Sequence, residues 1–72
     1  MKKYELLKDQ SIKHCGRTLY RIRRLSDGLI GGFIESEANL DQNGSCFVYD
    51  DAKVFGSAEV FGSAEVFYTL IF

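Results

Sequence analysis

The chain has one histidine and two cysteines in 72 residues, and it has no proline or tryptophan. A metal centre needs three or four ligands at suitable spacing. His14 with Cys15 supplies two, so neither a metal nor another cofactor is expected. Cys15 and Cys46 lie in different segments with no framework spacing, which excludes a disulfide scaffold. No apolar core follows the N-terminal Met-Lys-Lys-Tyr-Glu, and no run is long enough to span a bilayer. Free cysteines without an export signal suit a reducing compartment, so a cytoplasmic protein with no membrane partner is expected. A domain of this size buries only about 60% of its unfolded surface and is marginal without help. With disulfides and metals set aside, association is the remaining source of that help.

What the chain does have is a phrase said three times. Residues 52–69 read Ala-Lys-Val-Phe-Gly-Ser, Ala-Glu-Val-Phe-Gly-Ser and Ala-Glu-Val-Phe-Tyr-Thr. A short strand sends alternate side chains to opposite faces. The Ala/Val pairs 52/54, 58/60 and 64/66 can therefore point inward together, while Lys53, Glu59 and Glu65 point to solvent. Gly56-Ser57 and Gly62-Ser63 read as corners. The phase extends back to Cys46 and Val48 and forward to Leu70 and Phe72. A strict period of six fits a three-sided solenoid with eighteen residues per coil. On that reading Cys46 stacks under Ala64, Val48 under Val66, Ala52 under Leu70, Val54 under Phe72, and Tyr49 on Phe67. The 27 residues from Cys46 to Phe72 make one and a half coils, fewer than the roughly three units that stacked repeats usually need. A plain amphipathic meander with repetitive turns is the competing reading.

The N-terminal half reads as short strands. Tyr4–Lys8 is the first, Asp9-Gln10-Ser11 breaks it, Ser11–Lys13 begins a second, and His14–Arg17 turns. Residues 18–25 follow as a third strand, and Ser26-Asp27-Gly28 and Asn43-Gly44 are turn signals. The expected organisation is one domain, 1–72: an antiparallel cap at 1–34, a connection at 35–45, and hexapeptide repeats at 46–72.

Three phrases carry a family likeness: Gly16-Arg-Thr-Leu-Tyr-Arg-Ile-Arg, Gly31-Gly-Phe-Ile-Glu-Ser-Glu-Ala-Asn-Leu40, and Gly44-Ser-Cys-Phe-Val-Tyr-Asp-Asp-Ala-Lys-Val54. With them the chain resembles the N-terminal module of bacterial and phage β-solenoid proteins, the hexapeptide-repeat transferases and polymer-forming proteins. The resemblance implies an all-β fold, a left-handed parallel β-helix behind a small cap, cut short after about one and a half coils. It also implies a bacterial host cytoplasm.

Charge is nearly balanced, at −1, yet unevenly placed. Residues 1–24 hold eight Lys or Arg against Glu5 and Asp9, a balance of +6. Residues 25–72 hold Lys53 against eight acids, a balance of −7. Such asymmetry attracts a partner or pairs the two halves. Lys13, Arg17, Tyr20, Arg21, Arg23 and Arg24 form a basic, aromatic-bearing patch suited to a protein partner and, as a weaker reading, to a phosphate backbone. Asp50, Asp51, Glu59 and Glu65 form an acidic set that solvation explains better than paired-carboxylate catalysis. His14 lies outside the repeats, so the general-base role of the acyltransferases is not expected of it.

Phe55, Phe61, Phe67, Leu70, Ile71 and Phe72 are the candidate self-association residues, because exposed apolar rings mark association sites. The expected function is a non-catalytic protein-binding module. In that reading it is a homodimer through its C-terminal end and acts as a phage-type inhibitor or adaptor on a bacterial protein machine, with an anti-CRISPR-like role as one form. A purely structural self-assembling solenoid and a degenerate acyltransferase fragment are the alternatives.

Overall fold

The structure is a computed structural model describing residues 2–72. Seven strands and one short 3-10 turn follow in order: β1 Tyr4–His14, β2 Arg17–Arg24, β3 Ile30–Ile34, the turn Glu37–Asn39, β4 Phe47–Val48, β5 Lys53–Val54, β6 Glu65–Val66 and β7 Leu70–Ile71. They form a five-stranded mixed sheet, β1-β2-β3-β5-β7, and a two-stranded parallel sheet, β4-β6. β1/β2 and β2/β3 pair antiparallel, whereas β3/β5 and β5/β7 pair parallel.

The β1–β2 hairpin turns at Cys15-Gly16, both with positive φ (52° and 76°), the pairing a two-residue turn needs to match strand twist. Asp9 does not end the strand, as the sequence suggested. β1 runs through it, and Lys8, Asp9 and Gln10 form an irregularity between the pairs Leu7–Arg21 and Ser11–Tyr20. At the next connection, Gly28 (φ 77°) closes the turn with its N–H on the Arg24 carbonyl at 2.8 Å.

The six-residue period survives at the corners. Tyr49, Phe55 and Phe61 carbonyls each accept from the N–H three residues on, at 3.2, 3.3 and 3.2 Å. The second residue of these turns has positive φ in each case: Asp50 (57°), Gly56 (67°) and Gly62 (68°), with Tyr68 (46°) six residues further.

The closed hexapeptide solenoid expected from the resemblance is not formed. Its coil needs equal steps on three strand-built sides. The parallel partners are instead Phe33–Lys53 and Leu40–Val60, twenty residues apart, Phe47–Glu65, eighteen apart, and Lys53–Leu70, seventeen apart. One side is a single bridge, Leu40–Val60, and the others belong to two separate sheets, one of which is mixed. The Asp41–Ser45 segment lengthens the first step, and the Phe67-Tyr68-Thr69 corner shortens the last. Val48 faces Val66 and Tyr49 stacks on Phe67 as the spacing predicts, at 4.6 Å between centroids. The last rung is displaced by one residue. Ile71, not Phe72, pairs with Val54 and packs on the core, while Leu70 and Phe72 turn outward.

The main core joins Tyr4, Ile22, Ile34, Leu40, Cys46, Phe47, Val48, Ala52, Val54, Val60 and Val66. A second cluster holds Leu19, Phe33 and Phe55, with Ile12 against it. Gly31 and Gly32 allow this closeness. A Cβ on Gly31 would sit 2.5 Å from the Val48 carbonyl oxygen, and one on Gly32 2.5 Å from that of Ala52. No helix is long and apolar enough to cross a membrane among the described residues.

Candidate functional site

The basic patch is the first candidate, and the fold spends it internally. Arg17 Nη1 donates to both Glu35 carboxylate oxygens, at 2.9 and 3.0 Å. Arg21 reaches Asp51 at 2.9 Å and the Gly31 carbonyl at 2.7 Å, with its guanidinium 4.2 Å from the Phe33 ring centre. Arg23 pairs with Glu5, and Arg24 with Asp27 at 2.8 Å. Lys2 pairs with Glu37 at 2.9 Å. Four of these five pairs join the basic first third of the chain to the acidic remainder, so the charge asymmetry of the sequence is largely answered within one molecule. Lys13 donates to the Thr18 hydroxyl at 2.6 Å, and Tyr20 is half-buried under the Lys8 ammonium. Among the described residues Lys3, Lys8, Lys13 and Lys53 are the cations without a carboxylate partner, and Lys3 is occupied by the Asn43, Gly44 and Cys46 carbonyls.

Three of the paired carboxylates, Asp27, Glu35 and Glu37, are held below their ordinary values. The Arg24 side chain and then the Leu29 N–H hold Asp27 down at about 2. The Gly56 N–H, helped by Arg17, lowers Glu35, and Lys2 followed by Gln42 lowers Glu37. Of the acidic set, Asp51 belongs to Arg21, whereas Asp50, Glu59 and Glu65 are exposed and unpaired among the described residues.

His14 sits at the end of β1, edge-on to Phe55 with centroids 5.4 Å apart. Its Nε2 is buried and has no hydrogen-bond partner, so no acid orients it. Beside it, an open hollow of about 620 Å³ is lined by Cys15, Gly16, Arg17, Thr18, Tyr20 and Glu35. Its one ion pair, Arg17–Glu35, is satisfied, and no group of three metal-binding side chains occurs among the described residues.

The remaining candidate is the face made by β6, β7 and the 61–64 turn. β6 pairs only with β4 and β7 only with β5, so the outer edge of each has no backbone partner among the described residues. The same stretch, 61–72, carries Phe61 (66% exposed), Phe67 (48%), Tyr68 (81%), Leu70 (45%) and Phe72 (77%). Two aromatic ladders climb to this face. In one, Arg24 lies 5.1 Å from the centre of the Phe47 ring, Phe47 meets Tyr49 edge-on, and Tyr49 stacks flat on Phe67 (7° between planes). In the other, Arg17 lies over Phe55, which stacks on Phe72 at 5.3 Å and 11°. Each ladder ends in an exposed ring, Phe67 in one and Phe72 in the other.

Of the six residues read as self-association candidates, Phe61, Phe67, Leu70 and Phe72 lie exposed here, and Ile71 is half-buried. Phe55 is corrected: at 4% exposure it belongs to the second core cluster, because the β1–β2 hairpin folds over it. Tyr68 was missed. Its signal was present, as the residue that stands where the two earlier phrases have glycine. A separate apolar group, Leu25, Leu29 and Ile30, is exposed around the β2–β3 turn. Comparison with family models, with curated proteins and with solved structures finds no match to this chain.

Proposed function

We propose that the protein is a non-catalytic protein-binding module, of the inhibitor or adaptor kind, whose docking surface is the β6/β7 face. The observation that carries this reading is that the last two strands each keep an unpaired edge and that five exposed large apolar side chains fall in the same stretch of chain, 61–72. An unpaired edge takes another strand by main-chain hydrogen bonding, and neighbouring apolar side chains supply affinity. The rest of the surface offers weaker chemistry. The arginines suited to a phosphate backbone already hold carboxylates, and the histidine lacks an orienting group.

The test is capture of partners from bacterial lysate, nuclease-treated and at moderate salt, with three variants beside the wild type. Tyr68→Lys is expected to lose the captured protein, because it places a charge on the face without touching the core. His14→Ala is expected to retain it. Capture lost in Arg21→Glu but retained in Tyr68→Lys, with steep salt dependence, would transfer the function to the basic patch and overturn this reading.

A further inference from the structure

The geometry points to a second copy of this chain as the occupant of the β6/β7 face, related by a two-fold axis, with β7 of each copy paired antiparallel to β7 of the other. This rests on the docking surface proposed above and names its occupant in the free protein, which a captured partner displaces.

Three observations select a second copy. The first is area. At roughly 200 Å² for a whole aromatic side chain, the exposed fractions of Phe61, Phe67, Tyr68 and Phe72 amount to roughly 550 Å². Leu70 and the bare edges add to this. That approaches the ~800 Å² per partner of a standard interface and lies near the upper limit for a patch on a monomer. The second is charge. Residues 54–72 contain no lysine or arginine and only Glu59 and Glu65 as acids. Such a face has no strong field for an oppositely charged partner, and the same patch can meet itself at little electrostatic cost. The third is the pair of aromatic ladders. Both end in exposed aromatic rings, and an identical face supplies identical rings to cover them.

Symmetry then fixes the direction. A closed dimer of identical faces requires a two-fold axis. For the two main cores to lie on the same side of the joined sheet, that axis must run perpendicular to the sheet, which makes the β7 strands antiparallel. The two five-stranded sheets become one ten-stranded sheet, and its exposed edges move from β7 to the distant β1 strands. There the Lys8-Asp9-Gln10 irregularity and two charged side chains discourage further pairing.

The test combines sedimentation equilibrium with thiol cross-linking. The wild-type chain is expected at twice the chain mass, and Phe72→Asp and Tyr68→Lys as monomers with unchanged far-ultraviolet dichroism. Leu29→Asp, in the separate apolar group, is expected to remain dimeric. In a Cys15→Ser background, Leu70→Cys is expected to form a disulfide dimer on mild oxidation, and Ser11→Cys on β1 is not. Dimers that persist in both face variants, or that cross-link through β1, overturn the proposal. A wild type that stays monomeric at every concentration also overturns it. In that case lysate capture decides the fate of the docking surface: capture abolished by Tyr68→Lys preserves it for another protein, and capture unaffected by Tyr68→Lys removes both readings.

Discussion

At the scale of single residues, buried polarity and backbone conformation decide most outcomes. The His14 Nε2 is enclosed without a partner, a condition that costs about 1–3 kcal/mol. His14→Leu is therefore expected to raise stability by ~1 kcal/mol, measured by urea denaturation; a loss of that size would show that the edge contact with Phe55 is worth more than the orphaned nitrogen. Asp27 gives the pH dependence. Its carboxyl falls from the usual 3.8 to about 2 in the folded state, held there by Arg24 and the Leu29 N–H. A depressed folded value means the stabilisation is present above pH 3.8 and is lost as pH falls toward 2. The melting temperature is expected to decline over that window, with Glu35 and Glu37 adding in the same direction, and Asp27→Asn is expected to flatten part of the decline.

At the scale of elements, the corners and the glycine pair matter most. Tyr68 adopts φ 46° in the slot that Gly56 and Gly62 fill elsewhere. A side chain there costs roughly 1 kcal/mol, so Tyr68→Gly is expected to stabilise the isolated chain by about that amount in thermal or urea melts. Under the dimer proposal the same variant weakens self-association, which separates the two effects by their concentration dependence. The opposite holds on β3. Gly32→Ala would press a methyl to 2.5 Å from the Ala52 carbonyl oxygen and 2.8 Å from Val48. Backbone cannot yield cheaply, so a loss of ~3 kcal/mol is expected by chemical denaturation. The repeat itself was legible at this scale. Corners at 50, 56, 62 and 68 follow from a chain that places glycine or its stand-in every six residues. The ladder between corners was not legible, because its step depends on loops outside the repeat. The five residues Asp41–Ser45 and the glycine-free corner at Tyr68 change the offset from twenty to seventeen.

At the scale of the whole molecule, the hairpin β1–β2 and the repeats form one sheet through β3, so cap and repeats share a core. Phe55 and Phe61 occupy the same place in successive phrases, yet one is 4% and the other 66% exposed, because only Phe55 is covered by the hairpin. Phe55→Ala is expected to cost about 3–5 kcal/mol, against under 1 kcal/mol for Phe61→Ala. Equal effects in denaturant titrations would mean the hairpin does not pack on Phe55.

The sequence by itself determined the all-β class, the turns at Cys15-Gly16 and Asp27-Gly28, the corners at Gly56 and Gly62, the inward Val48, Val54, Val60 and Val66, and the aromatic pair Tyr49–Phe67. These follow from alternation and from local backbone preference, which act over a few residues. Only the tertiary structure decided that the solenoid does not close, that Phe55 is core, and that the basic patch is neutralised by Glu5, Asp27, Glu35 and Asp51. Each of these depends on which distant segment comes to lie alongside, and that is set by loop length and by competition for burial across the whole chain. Which apolar residues remain uncovered at the β6/β7 face has the same origin. A hydrophobic side chain declares its preference locally, but whether a neighbour arrives to satisfy it is a property of the fold.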